Sequence, residues 1–151
     1  MSDYPAPALY IDGRWLDSGS AGSLPVVNPA DESVLGMLPL AGDAELDLAA
    51  AAARRGFETW KREPAHARWE TITRATRLLR ERAGTIARVM TLEQGKPLAE
   101  SRREALLSAD IIDFLAEEGK RAYGRLVPPR STAILAQAVT RVPVGPAALF
   151  T

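Results

Sequence analysis

The 151-residue chain contains no cysteine and only one histidine, His66. Without cysteine it can form no disulfide, no thiolate metal site and no thiolate nucleophile. No apolar run approaches the roughly 20 residues that a membrane-spanning helix needs, and the first residues lack the basic and apolar regions of a secretion signal. We therefore expect a cytoplasmic protein with no membrane partner.

Neither sign of charge is in excess, because 19 Lys and Arg residues balance 19 Asp and Glu residues. A balanced charge gives no general attraction to nucleic acid, so we expect no nucleic-acid partner. The apolar fraction of 46% is ordinary for a globular domain, and 151 residues are enough for one hydrophobic core.

Short hairpins are predicted first. Asp12-Gly13 separates two apolar or aromatic triplets, and this dipeptide readily adopts the positive φ angles of a two-residue turn. A second strand pair is predicted at residues 24–27 and 33–38, on either side of a turn that begins with Asn28-Pro29.

Helical periodicity follows. Apolar residues recur at intervals of three and four over residues 42–61, 72–94 and 98–123. Gly84 leaves open whether the middle stretch is one helix or two, and Gly95 is predicted to end it. Residues 132–142 then have the pattern of a strand, and the apolar run from residue 147 is typical of a buried parallel strand.

Few residues offer chemistry by themselves. Gly95-Lys96 does not match a phosphate loop, because no glycine stands at the required earlier position and Pro97 follows the lysine. His66 falls at a predicted helix start, where an exposed position is the simpler interpretation. The sequence has no glycine-rich dinucleotide fingerprint and no nucleophile elbow. Pattern alone therefore predicts an α+β protein without specifying a function.

Several segments in register nevertheless resemble aldehyde dehydrogenases. Residues 114–124 resemble the branch whose members oxidise succinate semialdehyde or α-ketoglutarate semialdehyde. The resemblance covers essentially the whole chain and implies the amino-terminal part of such an enzyme. The other matching segments are residues 10–15 (Tyr-Ile-Asp-Gly-Arg-Trp), 27–30 (Val-Asn-Pro-Ala), 90–98 (Met-Thr-Leu-Glu-Gln-Gly-Lys-Pro-Leu) and 143–146 (Pro-Val-Gly-Pro).

The resemblance implies an α/β fold: short β-hairpins, three or four helices, an oligomerisation strand and the first strand of a Rossmann-like parallel sheet. On this basis residues 1–131 are the hairpins and helices of a cofactor-binding domain. Residues 132–142 are an arm that pairs with another subunit, and residues 143–151 begin the cofactor-binding sheet. We expect the complete protein to be a homo-oligomer.

The family oxidises small aldehydes to carboxylic acids with NAD or NADP. A cysteine thiolate attacks the aldehyde, hydride passes to the cofactor, and a glutamate-activated water releases the acid. The matching positions for that cysteine, that glutamate and an oxyanion-binding asparagine lie beyond residue 151. The resemblance therefore implies an oxidoreductase but predicts no catalytic residue here and no activity for this chain alone.

Four residues match binding positions of the family. Phe150 and Thr151 match the edge of the cofactor pocket, although Phe150 is more simply a core strand residue. Val27, through its carbonyl, and Glu93 match a structural monovalent-cation site of some members, although Glu93 is more simply a helix-end carboxylate. The alternative to an enzyme is a non-enzymatic helical interaction module that retains the family scaffold.

Overall fold

A computed structural model describes residues 4–150 of the chain. Its first hairpin pairs β1 (Leu9–Ile11) with β2 (Arg14–Leu16) in antiparallel register. Asp12 and Gly13 form the turn, with φ angles of 51° and 78°. Both angles are those of the two-residue turn that matches strand twist, so the Asp-Gly prediction is confirmed.

A second hairpin pairs β3 (Ser23–Val27) with β4 (Val34–Pro39), within one residue of the predicted bounds. Asn28 organises the turn in two ways. Its side-chain oxygen accepts a hydrogen bond from the Ala30 N–H at 3.0 Å, and its carbonyl accepts one from the Glu32 N–H at 2.8 Å. Asn-Pro therefore starts a turn here, as its chemistry predicts.

Four helices follow the hairpins. The predicted middle stretch is two helices, and the break lies at Arg82, two residues before Gly84. Gly95 ends the third helix with a φ of 71°, in the left-handed region that favours glycine. Within residues 4–150, no helix combines the length and the apolarity needed to cross a bilayer. The helices are α1 (Asp43–Trp60), α2 (Ala65–Glu81), α3 (Ala83–Gln94) and α4 (Leu98–Lys120).

The core lies where α2 and α3 pack on α4. Its buried apolar side chains are all alanines, which let the helix backbones approach closely. Ile112, predicted on the same face of α4 as the buried alanines, is 39% exposed at the edge of this contact. The buried alanines are Ala83, Ala87, Ala105, Ala109 and Ala116.

Thr76 and Ser101, the two polar residues buried at this contact, are both hydrogen-bonded, as burial requires. Ser101 of α4 lies 3.1 Å from the Thr91 hydroxyl of α3. Thr76 of α2 donates to the carboxylate of Asp113 at 2.5 Å, and Arg80 pairs with that carboxylate at 2.7 Å. The Thr76 hydrogen bond and the Arg80 charge hold the pKa of Asp113 below its ordinary value.

The last part of the chain departs from the prediction. A short antiparallel pair forms between β5 (Arg125–Val127) and β6 (Gln137–Val139). The strand predicted over residues 132–142 is therefore only three residues long, because a strand extends only where a partner satisfies its backbone groups. Residues 140–150 have no regular structure, so the parallel strand expected from residue 147 is not formed in the described chain.

The surface is large for the mass of the chain. The accessible area is 11793 Å², whereas a compact monomer of 16.3 kDa exposes about 7,500 Å². No residue of α1 is buried. Phe114 and Leu115 of α4 are 65% and 60% exposed. The fold is thus loosely packed. In the described part of the chain, three two-stranded sheets and the exposed helix α1 accompany one alanine-rich contact, in which α2 and α3 pack on α4.

Candidate functional site

Val27 and Glu93, the residues of the predicted cation site, lie near the ends of neighbouring elements. Val27 ends β3, and Glu93 lies in the last turn of α3. These ends come together, since a Cβ added to Gly95 would lie 3.0 Å from Cγ of Pro29. A register shift between Val26 and Val27 also interrupts the β3–β4 pairing, and such bulges change where backbone groups point.

Tyr4 joins this region to the amino-terminal segment. Its hydroxyl donates a hydrogen bond of 2.5 Å to the Glu93 carboxylate. Its ring lies against β4, where a Cβ added to Gly36 would be 3.4 Å away. Burial of the phenol, the hydrogen bond and the negative charge of Glu93 raise the pKa of Tyr4 to about 12, because only the neutral phenol can donate.

The donors of this region suit a hard cation of low charge. Carboxylate and carbonyl oxygens are the ligands that such ions prefer, and Tyr4 uses one of about four acceptor positions on Glu93. Lys96 pairs with Glu104 of α4 rather than with Glu93. Within residues 4–150, no three His, Cys, Asp or Glu side chains form a metal centre. A cation here would therefore depend on Glu93 and on carbonyls such as that of Val27, which stays a prediction.

The predicted cofactor residues are at the end of the chain. Phe150 is 94% exposed in a segment without regular structure. Thr151 lies outside the described residues. The cofactor role of Phe150 and Thr151 stays a prediction.

His66 is where the sequence predicted it. It lies in the first turn of α2 with a side chain that is 67% exposed, and its ring stacks on Trp69 with centroids 5.1 Å apart. Since the sequence has no cysteine and its one histidine is on the surface, the described residues assemble no thiolate or imidazole centre.

The family model of the aldehyde dehydrogenase family matches residues 15–151. The chain belongs to the aldehyde dehydrogenase family. It is 42% identical over 147 residues to the 4-(hydroxymethyl)benzenesulfonate dehydrogenase of Comamonas testosteroni, covering 97% of this chain and 31% of that protein. It is 41% identical over 118 residues to the NADP-dependent succinate-semialdehyde dehydrogenase of Escherichia coli, covering 78% of this chain and 24% of the relative.

Solved structures agree with the fold expected for this aldehyde dehydrogenase chain. An aldehyde dehydrogenase of Brucella melitensis biovar abortus matches with a TM-score of 0.80 and 36% identity, over 87% of this chain and 27% of the solved one. The predicted family and its α/β fold are therefore confirmed, and the cofactors named for its relatives are NADP in the Escherichia coli enzyme and NAD in another solved neighbour. The chain spans 31% of the length of the first relative named above.

Sequence reasoning missed Tyr4 as the partner of Glu93. The two residues are 89 positions apart, and no local pattern marks either as a contact of the other. It also missed the cavity beside α1, because that cavity is lined by residues from four separate segments of the chain.

Proposed function

We propose that this chain is the amino-terminal part of an enzyme that oxidises an aldehyde to a carboxylic acid with NAD or NADP. The observation that carries the proposal is the family match over residues 15–151. Phe150 and Thr151 would contribute to the edge of the cofactor pocket, where the bound nicotinamide accepts hydride. Cytoplasmic location and homo-oligomeric assembly of the complete protein remain predictions.

The proposed substrate is a small aldehyde that carries an anionic group, and succinate semialdehyde is the first to test. One relative is named for a semialdehyde with a carboxylate, and the other for a benzenesulfonate. A fixed anion at the far end of the substrate is common to both compounds. The resemblance of residues 114–124 to the semialdehyde branch supports the carboxylate in particular.

Residues 1–151 alone are proposed to be inactive. The chain contains no cysteine that could attack an aldehyde. Its accessible area of 11793 Å² exceeds that of a compact monomer by about one half, which supports packing against further polypeptide. Its own contribution to the enzyme would be the helical scaffold and the edge of the cofactor pocket.

Expression of two polypeptides tests the proposal: the complete reading frame of the gene, and residues 1–151. Each is mixed with NAD or NADP and with succinate semialdehyde, 4-formylbenzenesulfonate or the neutral control butanal, and the absorbance of reduced cofactor is followed. We expect turnover of the anionic aldehydes by the complete product and none by residues 1–151.

Each part of the proposal has its own contrary result. Turnover by residues 1–151 that exceeds a protein-free blank and survives repurification would show that the chain is active alone. A complete product that oxidises no aldehyde would contradict the oxidoreductase. Equal turnover of butanal and succinate semialdehyde would leave the oxidoreductase in place and remove the preference for an anion.

A further inference from the structure

A cavity of about 430 Å³ lies between α1, α2 and the coil that follows β6. Two aromatic and three basic residues line it, together with Ala122 and the segment 142–145, and no carboxylate does. Its volume falls within the roughly 300–1,000 Å³ of small-molecule pockets. The aromatic and basic residues are Phe57, Trp60, Lys61, Arg68 and Arg141.

The positive charge of this cavity is only partly neutralised. Lys61 pairs with Glu58 at 2.7 Å and lies 4.9 Å from the centroid of the Phe57 ring. Arg68 donates to the backbone carbonyl of Glu63, which fixes the guanidinium without cancelling its charge. Among residues 4–150, no carboxylate pairs with Arg68 or Arg141.

The position of Arg68 adds to this potential. Arg68 is in the first turn of α2, whose unpaired N–H groups give that helix end a partial positive charge. Arg141 lines the cavity from a different segment of the chain, so the two arginines belong to separate walls. A guanidinium binds carboxylate or sulfonate through two parallel hydrogen bonds.

The aromatic wall indicates the rest of the ligand. Phe57 and Trp60 are one turn apart on α1 and offer ring surfaces against which a flat ring packs favourably. We propose that this cavity binds an aromatic anion, a flat ring that carries one carboxylate or sulfonate. Arg141 and Arg68 hold the anionic group, and Phe57 and Trp60 contact the ring. The site is separate from the proposed oxidation, to which none of these residues is assigned.

Calorimetric titration of the complete gene product with benzenesulfonate tests the site. We expect saturable binding, and Arg141→Gln is expected to weaken it at least about tenfold, as loss of a charge-assisted hydrogen bond does. Arg130→Gln is the matched control, because Arg130 is an exposed coil residue that does not line the cavity. Methanesulfonate, which has no ring, is expected to bind at least about tenfold more weakly than benzenesulfonate.

A second variant separates the ring contact from the charge. Trp60→Leu is expected to weaken benzenesulfonate binding and to leave the binding of methanesulfonate unchanged. Absence of saturable binding by the unaltered protein overturns the proposal. So does equal weakening by the Arg141→Gln and Arg130→Gln variants, since the anion would then be responding only to net charge.

Discussion

The Tyr4 side chain contacts two parts of the chain that are far apart in sequence. It joins the amino-terminal segment to Glu93 at the end of α3, while its ring lies against Gly36 of β4. The contact depends on protonation. A neutral phenol donates to the carboxylate, whereas a phenolate would repel it. The stability of the chain should therefore depend on pH on the alkaline side.

Tyr4→Phe tests this contact. The pKa of Tyr4 is about 12 in the folded chain and 10.0 in the unfolded one. The stabilisation is thus complete below pH 10 and is lost as the pH rises toward 12. We expect Tyr4→Phe to lower the free energy of unfolding by about 1 kcal/mol at neutral pH and to reduce its further loss above pH 10.

Urea unfolding of the complete gene product and its variants, at a series of pH values, measures both effects. Tyr123→Phe is the control, because Tyr123 is 72% exposed. The free energy of unfolding of the Tyr123→Phe variant should fall above pH 10 as much as that of the unaltered protein. If Tyr4→Phe keeps that loss as well, the hydrogen bond to Glu93 does not control the alkaline stability.

Residue-scale predictions from the sequence succeeded where the cause is local. Gly13 and Gly95 have positive φ angles, and Asn28 bonds to backbone two to four residues away, so a few neighbouring letters suffice. The partners of Glu93 and Lys96 are fixed by tertiary packing. Tyr4 is 89 residues from Glu93, and no sequence rule connects them.

At the scale of elements, helices were predicted better than strands for a physical reason. A helix forms its backbone hydrogen bonds between residues four apart. The spacing of apolar residues within α1 and α4 is therefore enough to predict that these segments are helices. A strand depends on another strand. Residues 132–142 have a strand pattern, but their partner in this chain, β5, offers three residues, and the paired length is three.

The end of α3 gives a test at this scale. Gly95 has a φ of 71°, and an added Cβ would lie 3.0 Å from Cγ of Pro29. Gly95→Ala should therefore lower the free energy of unfolding by about 1–2 kcal/mol, from backbone strain and from contact with Pro29. Gly56 is the matched position, since it lies inside α1 with no atom within 4 Å of an added Cβ.

Gly56→Ala is expected to raise the free energy of unfolding by about 0.5–1 kcal/mol, because alanine restricts the unfolded chain and favours helix. Thermal unfolding of the two variants, each made in the complete gene product, compares them directly. A lower free energy of unfolding for Gly95→Ala together with a higher one for Gly56→Ala supports a requirement for the left-handed conformation at Gly95. Equal effects would mean that glycine at position 95 is required by neither the turn nor Pro29.

At the scale of the whole molecule, the described part of the chain forms four helices and six short strands but buries few apolar side chains. Within residues 4–150 the buried residues of the helix contact include five alanines and no larger apolar side chain, while Leu46 and Leu48 of α1 are 57% and 58% exposed. Each exposed leucine forgoes about 1.5–3 kcal/mol of burial. A single contact of α2 and α3 with α4 leaves little to offset the entropy of ordering the remaining elements. Further burial would have to come from polypeptide outside residues 1–151.

The last prediction concerns residues 1–151 purified alone. Because α1 and the outer face of α4 are uncovered, we expect a broad thermal transition, binding of the dye ANS and a tendency to associate. The complete gene product should melt cooperatively and bind little ANS. Calorimetry and sedimentation velocity on the two samples make the comparison. If residues 1–151 instead form a single monomeric species with a sharp transition, the scaffold is self-sufficient. That result would favour the helical interaction module over a part of a dehydrogenase.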